Sequence, residues 1–172
     1  MASNSSSLSL YAAMNLLYRP CVKTGLGRRE HFRMLVVDDS TVARRMFIHT
    51  IVVGHKQSGT AEHLYVHQAD SFKSAMDLIQ THSYNLICVD QYLTDPPVPG
   101  EQGSEIIRAA REQYENCVII GMSSALDKVG ENTELGRHTR KLLATAGADI
   151  VLRKPIPADT WTQLITCLPM EF

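Results

Sequence analysis

Short, continuous apolar runs alternate with amphipathic segments along the chain from residue 34 onward. The runs predict strands buried on both faces, because a strand with one wet face would alternate apolar and polar residues. The run at 64–68 is the weakest of the five. The predicted strands are MLVVDD (34–39), LYVHQ (64–68), NLICVD (85–90), CVIIGM (117–122) and DIVL (149–152).

Between these runs, apolar residues recur every three or four positions, which is the spacing of one helix face. The first helix is predicted to follow the cap residue Ser40 and to stop at Gly54, and the second to follow the cap residue Asp70. Further helices are predicted over 103–113, over 132–146 with Gly147 as its stop, and around Trp161. The apolar positions assigned to helices are Val42, Met46, Phe47, Ile51, Phe72, Ala75, Met76, Ile79, Ile106, Ile107, Ala110, Leu135, Leu142, Leu143, Trp161, Leu164, Ile165 and Leu168.

The five strand–helix pairs predict an α/β fold with a parallel sheet covered by helices on both faces. In such a doubly wound sheet, ligands bind at the carboxyl ends of the strands. The residues that follow each apolar run are therefore the first place to look for chemistry.

Composition and charge argue against several classes of protein. With 172 residues the chain suits one domain, and a net charge of −1 provides no overall field for nucleic acid or a membrane surface. No apolar run approaches the 18 residues of a membrane span. The four cysteines form no CxxC pair, so Cys88 and Cys117 are interpreted as buried thiols in a reducing, intracellular and most simply cytoplasmic, location.

The first 32 residues differ from the rest, because they are rich in serine and have no acidic residue before Glu30. Two interpretations stay open. The segment is either a transit peptide for organelle import, or a linker or arm with a short helix over 8–18. The predicted domain organisation is thus an extension over 1–32 and one folded domain over 33–172.

The predicted strand ends bring one group of polar residues to one edge of the sheet: Asp38, Asp39, Asp90, Ser123 and Lys154. Three clustered carboxylates repel one another unless a cation compensates them. A hard divalent ion such as Mg²⁺ (or Mn²⁺) prefers these oxygen ligands. A metal ion, an ammonium and a hydroxyl around one carboxylate are suited to phosphoryl transfer onto that carboxylate.

The motifs MLVVDDSTVARR, ICVDQYL, IIGMSS and VLRKPI resemble, in order, the four signatures of the two-component response-regulator receiver domain. The resemblance covers residues 33–168. It implies a flavodoxin-like, five-stranded parallel sheet in the order 2-1-3-4-5 with five flanking helices. It also implies a role in histidine-to-aspartate phosphorelay signalling, in a free-standing protein or as a segment of a hybrid kinase.

The resemblance assigns roles to individual residues. Asp90 matches the aspartate that accepts the phosphoryl group and is also one of the implied metal ligands. Asp39 matches the main metal-binding acid, Asp38 acts on the metal largely through water, and the backbone carbonyl of Tyr92 matches a further metal ligand. The implied cofactor is therefore Mg²⁺ or Mn²⁺.

The resemblance also implies a switch and partners. Ser123 matches the hydroxyl that moves onto the new phosphate, and Lys154 matches the lysine that pairs with it and precedes a cis proline. A histidine kinase or a histidine phosphotransfer protein is the implied donor. The target is an unknown downstream protein, and a homodimer is left open. Such a domain catalyses its own phosphorylation, although it acts mainly as a signalling module.

Three other functions compete with this interpretation. An aspartate-nucleophile phosphatase needs a second acid two residues after the nucleophile, where this chain has Tyr92. A flavodoxin-like cofactor binder needs a phosphate-binding loop after the first strand, where this chain has the acidic DDS. A pseudo-receiver, which would bind partners without being phosphorylated, remains the alternative, and Mg²⁺-dependent labelling by a small phosphodonor distinguishes it.

The chain departs from the family pattern at several positions. Val151 stands where the family has a switch aromatic residue, and Leu93 and Thr94 stand where it has Met and Pro. The segments from 90 to 103 and from 123 to 154 are longer than usual. These loops are predicted either to modulate phosphate lifetime or partner choice, or to be neutral insertions.

Several other side chains are assigned ordinary positions. Arg44 and Arg45 are expected on a solvated helix face, with partner docking as the second interpretation. Tyr92 is expected over the mouth of the site, where it either shields the phosphate or simply packs, and Trp161 is expected in the core. The seven histidines show no metal-binding spacing and are expected to be solvated or partly packed.

Overall fold

The computed structural model describes residues 32–58, 64–127, 132–157 and 159–161. Its strands form one parallel sheet in the order β2-β1-β3-β4-β5. The strands are β1 (Phe32–Val37), β2 (Leu64–Ala69), β3 (Leu86–Asp90), β4 (Val118–Ser123) and β5 (Ile150–Arg153). The helices are α1 (Thr41–Ser58), α2 (Phe72–Thr81), α3 (Gly103–Gln113) and α4 (Glu134–Ala146), and residues 159–161 are also helical.

Both faces of the sheet are covered, which explains the continuous apolar strands. Leu35 and Val37 of β1 face a core completed by α2, α3 and α4. Met34 and Val36 face the opposite core, which α1 and Trp161 complete. The predicted doubly wound α/β fold with strand order 2-1-3-4-5 is confirmed.

The core position predicted for Trp161 is also confirmed. Its indole is buried and meets the ring of Phe47 edge-on, with ring centroids 4.0 Å apart. The positions Leu164, Ile165 and Leu168 of the predicted last helix lie outside the described residues, as does the segment 1–31 of the predicted extension.

The predicted end of the first helix was wrong. The first helix does not stop at Gly54 but continues to Ser58. A glycine weakens a helix interior by about 1 kcal/mol relative to alanine, and it ends a helix only where the backbone turns left-handed. Gly147 does turn left-handed, at φ 106°, and ends α4 as predicted.

The cap of α2 is Ser71 and not Asp70. The backbone of Ser71 is extended, and its hydroxyl accepts a hydrogen bond from the Ser74 amide over 3.3 Å. The Ser74 hydroxyl in turn accepts from the Ser71 amide and donates to the Asp70 carboxylate. Serine and aspartate are both good caps, so composition alone did not separate these two adjacent residues.

The buried face of α1 is offset from the predicted apolar stripe. Val42 and Met46 are 67% and 66% exposed, whereas Phe47 and Ile51 are buried. Arg44 precedes these two at helical spacing and is buried with them. The prediction that Arg44 lies on a solvated face was wrong, whereas Arg45 is exposed as expected.

Among the helices α1 to α4, the predicted apolar face of α4 also includes an exposed residue. Leu143 is buried against the sheet, but Leu135 is 55% exposed. None of the helices in the described segments is long and apolar enough to cross a membrane.

Candidate functional site

The carboxyl ends of four neighbouring strands carry the polar residues that the sequence singles out. Asp38 follows β1, Asp90 is the last residue of β3, Ser123 is the last residue of β4, and Lys154 follows β5. The registers Val37↔Val89, Asp90↔Met122 and Ser123↔Arg153 bring these ends to one edge. Parallel pairing therefore collects residues that are more than a hundred positions apart in the sequence.

Asp38, Asp39, Asp90 and Lys154 form one cluster. The Lys154 ammonium lies 2.8 Å from an Asp38 carboxylate oxygen and 2.9 Å from an Asp90 carboxylate oxygen. One carboxylate oxygen from each aspartate lies within 4.8 Å of those of the other two. Asp38 and Asp90 are only 2% and 5% exposed, whereas Asp39 is exposed to solvent.

Burial raises the pKa of Asp90 from 3.8 to about 6. Lys154 acts in the opposite direction, and the charges of Asp38 and Asp39 add to the increase. Burial also disfavours the charged form of Lys154, but Asp90 and Asp38 outweigh this effect and raise its pKa. At neutral pH, Asp90 is therefore mostly an ionised carboxylate held against a protonated ammonium.

The cluster fits a hard divalent cation. Three carboxylates share a single ammonium, and the exposed Asp39 leaves one side of the cluster open to water. Mg²⁺ binds such sites through one or two carboxylates and keeps several waters. Within the described residues, this is the one group of three or more candidate metal ligands.

Comparison with solved structures finds the same architecture. A two-component response regulator from Clostridium difficile superposes with a TM-score of 0.60 at 16% identity, over 81% of this chain and 98% of that chain. A CheY-like response-regulator receiver domain from Methanospirillum hungatei gives 0.59 at 18% identity, over 79% and 91%. The Vibrio cholerae chemotaxis protein CheY4 gives 0.58 at 22% identity, over 80% and 98%.

This chain has the fold of a response-regulator receiver domain. No protein-family model matches the sequence, and no curated protein sequence matches it. At these identities the solved structures establish the receiver fold, and the assignment of chemistry depends on the residues of this chain.

Ser123, which the resemblance assigns as the switch residue, is the last residue of β4 and is fully buried. Its hydroxyl oxygen accepts a hydrogen bond from the Ala125 amide over 3.1 Å, and its carbonyl accepts from the Lys154 amide over 3.0 Å. The residue is thus joined through the backbone to Lys154. The Lys154–Pro155 peptide is cis, as the resemblance implied.

Tyr92 is turned towards α4 and is not simply placed over the mouth of the site. Its hydroxyl is hydrogen-bonded to the hydroxyl of Thr139 over 3.0 Å, and Thr139 is fully buried in α4. The contact joins residues 47 positions apart. The side chain therefore packs against α4. Its shielding of a phosphate and the metal contact of its backbone carbonyl stay predictions.

Arg44 is a site residue that sequence reasoning missed. Its guanidinium donates hydrogen bonds to the backbone carbonyls of Asp38 and Asp39 and to the Thr41 hydroxyl. The buried cation therefore supports the turn that carries two of the three acids. The sequence held one signal of its burial, because Arg44 lies three and seven residues before Phe47 and Ile51 and so shares their face of the helix.

The segment after Ser123 is anchored at both described ends. Arg153 donates to the Leu126 carbonyl over 2.9 Å. Asp127 accepts hydrogen bonds from the amide and the hydroxyl of Thr133, the cap residue of α4. Residues 128–131 between them lie outside the description.

None of the histidines in the described ranges belongs to the group of candidate metal ligands formed by the three aspartates. His67 and His82 are in edge-on ring contact, with centroids 4.5 Å apart, and the His67 ring is hydrogen-bonded to the Tyr84 hydroxyl over 2.8 Å. Burial lowers the pKa of His67, and the nearby His82 and Arg33 lower it further. These histidines are partly packed or exposed, as expected.

Proposed function

We propose that this chain is a phosphoacceptor receiver, in which Asp90 takes a phosphoryl group from a phosphohistidine. The observation that carries the proposal is the buried Asp90 carboxylate, 2.9 Å from the Lys154 ammonium and grouped with Asp38 and Asp39. A structural ion pair would need one carboxylate for one ammonium. The two additional carboxylates are explained by a site that binds a cation and an anion together.

The proposed transfer moves one phosphoryl group from an imidazole nitrogen of the donor to Asp90. One carboxylate oxygen of Asp90 bonds to phosphorus while the phosphorus–nitrogen bond of the donor breaks. The imidazole nitrogen leaves with the bonding electron pair, and the product is an acyl phosphate on Asp90. A pKa of about 6 keeps the nucleophile ionised at neutral pH.

The other residues hold the phosphoryl group and its charge. Lys154 balances the added negative charge, and its contact with Asp38 keeps it beside the acceptor. Asp38, Asp39, Asp90 and the Tyr92 backbone carbonyl would hold Mg²⁺ or Mn²⁺. When bound, this ion would neutralise charge on the phosphoryl oxygens.

Ser123 is proposed as the switch residue. Its hydroxyl oxygen serves as an acceptor for the Ala125 amide, so this bond leaves its proton available for a phosphate oxygen. A shift of Ser123 would displace the residues that follow β4. Val151 stands where the family has a switch aromatic residue. The hydrogen bond between Tyr92 and Thr139 is one contact that links the site to α4.

The proposed donor is a histidine kinase or a histidine phosphotransfer protein, and the proposed output is binding of a downstream protein. The exposed Val42 and Met46 follow the acidic turn and offer the donor an apolar surface. An intracellular location is proposed because Cys88 is kept as a buried thiol.

The test is intact mass after incubation with a small acyl phosphate, with and without Mg²⁺. We expect one added phosphate on the wild type, only with Mg²⁺, and none on Asp90→Ala. Asp77→Asn, which alters an exposed acid on α2, is the matched control and should label normally.

If the wild type gains no phosphate under any condition, the proposal is wrong and the pseudo-receiver replaces it. If Asp90→Ala labels as well as the wild type, the acceptor is a different residue. Peptide mapping of the labelled protein then identifies it.

A further inference from the structure

Gln91 is a fully buried polar residue directly after the proposed phosphoacceptor. Its relative exposure is 0%, although glutamine is usually found at the surface. Both ends of its side-chain amide are hydrogen-bonded. The amide nitrogen donates to the Gln102 side-chain oxygen over 2.8 Å and, at 3.4 Å, to the Ser104 hydroxyl, and the amide oxygen accepts from the Ser104 backbone amide over 3.0 Å.

The backbone of Gln91 is tied down as well. Its amide donates to the Met122 carbonyl of β4 over 2.8 Å, and its carbonyl accepts from the Gly103 amide over 2.9 Å. One residue therefore joins the strand next to Asp90 to the start of α3.

These contacts cap α3 from outside the helix. Gln102 is the residue at its N-cap position, and the Gln102 side chain makes no capping hydrogen bond. The first turn of a helix has amide groups without partners inside the helix. Gln91 accepts from the first two of them, those of Gly103 and Ser104.

Gly103 shows how closely α3 approaches the acceptor. A Cβ atom added at Gly103 would lie 2.2 Å from the Asp90 carbonyl oxygen. Real Cβ atoms do not approach backbone this closely, so the helix starts in direct contact with the residue that carries the carboxylate. Any movement of this first turn would be transmitted to Asp90.

The contacts of Gln91 with Gln102, Gly103 and Ser104 form a clamp. This clamp also closes the long segment between Asp90 and α3. Residues 92–102 leave from Gln91 and return to it through the Gln102 side chain and the Gly103 amide. The interior of this loop is mostly exposed, whereas its two ends are held together. Both ends of this loop are therefore held beside Asp90.

We propose that Gln91 is a positioning residue for phosphorylation of Asp90: its amide caps α3 and locks the first helical turn against the acceptor strand. This inference rests on the proposed function. An apolar side chain of the same size would fill the same space. It would leave the Ser104 amide and the Gln102 side chain without their partner, and the turn beside Asp90 would loosen.

The test compares wild type with Gln91→Met, which keeps the side-chain length and removes its amide. The readouts are the maximal rate of phosphorylation by a small acyl phosphate at saturating Mg²⁺ and the donor concentration for half-maximal rate. Hydrogen exchange at the Gly103 and Ser104 amides is followed in parallel. We expect roughly a tenfold lower maximal rate with a little-changed half-saturation, because misplacement of a reacting group lowers the chemical step.

Two controls separate positioning from general destabilisation. Gln113→Met replaces an exposed glutamine at the other end of α3 and should behave as wild type. Ile79→Val weakens the core at α2, away from the site, and should lower the melting temperature without lowering the maximal rate. If Gln91→Met does not fold, Ser104→Ala and Gln102→Met each remove one partner of the clamp, and a smaller loss of rate is expected from both.

The outcomes distinguish the two proposals. A phosphorylated wild type with a Gln91→Met rate within twofold of it overturns the positioning role alone. The same loss of rate in Ile79→Val also overturns it. A wild type that is never phosphorylated overturns the proposed function itself, and with it this role of Gln91.

Discussion

Asp90 is the residue at which burial and charge oppose each other most directly. Burial, Asp38 and Asp39 favour its neutral form, and Lys154 favours its carboxylate. The result is a carboxylate that is ionised at neutral pH but whose charged form is not stabilised by the fold. This is the usual condition of a functional carboxylate, in contrast to one that holds a structure together.

This opposition predicts the effect of Asp90→Asn on stability when no divalent ion is present. The folded state raises the pKa from 3.8 to about 6, so it binds the proton more tightly than the unfolded chain does. Ionisation therefore costs stability, and the cost develops as the pH rises from 4 and is complete above pH 6. At pH 7.5 the variant should be more stable by about 3 kcal/mol or somewhat less, because one pKa unit corresponds to about 1.4 kcal/mol.

Urea unfolding at pH 4 and pH 7.5 measures this effect. Wild type and variant should have similar stability at pH 4 and differ at pH 7.5. An equal difference at both values would mean that the titration of Asp90 is not the cause. Asp77→Asn controls for the loss of one exposed carboxylate.

Arg44 supports the acid cluster through hydrogen bonds to the backbone of the turn that carries Asp38 and Asp39. In Arg44→Met, the carbonyls of Asp38 and Asp39 lose their donors, and the cluster loses a nearby positive charge. We expect a loss of about 1–3 kcal/mol in the free energy of unfolding, since unsatisfied buried polar groups cost that much.

Arg45→Met is the matched control, because Arg45 is the exposed neighbour on the same helix. Its stability should stay within about 0.5 kcal/mol of wild type. Urea unfolding without divalent ions measures both variants. Equal effects at the two positions would show that the carbonyl contacts of Arg44 carry no stability.

At the scale of elements, the helix ends around the site depend on contacts from other segments. Gln91 caps α3, and Asp127 holds Thr133, which caps α4. The sequence predicted where these helices lie, because the apolar period of a helix is local. It did not predict how they begin, because the capping partners come from loops that the period does not describe.

The start of α4 gives a test at this scale. A Cβ added at Gly136 would lie 2.3 Å from the Asp127 carboxylate, which bonds to Thr133. Gly136→Ala should therefore destabilise the protein by about 1 kcal/mol, despite the higher helix propensity of alanine.

The double variant reveals the cause. In an Asp127→Ala background the clash is absent, so Gly136→Ala should be neutral or stabilising. Thermal and urea unfolding of the four proteins complete the cycle. If Gly136→Ala has the same effect in both backgrounds, the Asp127 contact is not the reason for the glycine.

At the scale of the whole molecule, the sheet joins residues from its two halves into one site. Lys154 follows β5, Asp38 follows β1, and they meet across 116 positions. A ligand of this cluster therefore holds several strand ends together. Binding to the folded state alone adds stability in proportion to the logarithm of ligand concentration.

Mg²⁺ is accordingly expected to raise the melting temperature. At a concentration one hundred times its dissociation constant, the stabilisation should be about 2.7 kcal/mol. Asp39→Asn should lose most of this gain, and Asp77→Asn should keep it. The measurement is thermal unfolding over a Mg²⁺ series, with chelator as the reference. A melting temperature that does not respond to Mg²⁺ in the wild type would contradict the metal site.

The fold and the four-residue cluster were largely predictable from the sequence. Apolar runs and helical periods are local patterns, and each acid or lysine lies at the end of a strand or within two residues after it. The motif resemblance supplied the order of the strands. Parallel pairing then had to bring Asp38, Asp90 and Lys154 to one edge.

The sequence by itself thus determined the elements, the sheet and the residues at its carboxyl edge. Only the tertiary structure decided what Arg44, Gln91 and Tyr92 do, because hydrogen-bond partners are selected by three-dimensional distance and direction. Gln91 reaches across 11 positions and Tyr92 across 47. No periodic pattern in the sequence records such partners. A buried glutamine or arginine cannot be told from an exposed one by the sequence alone.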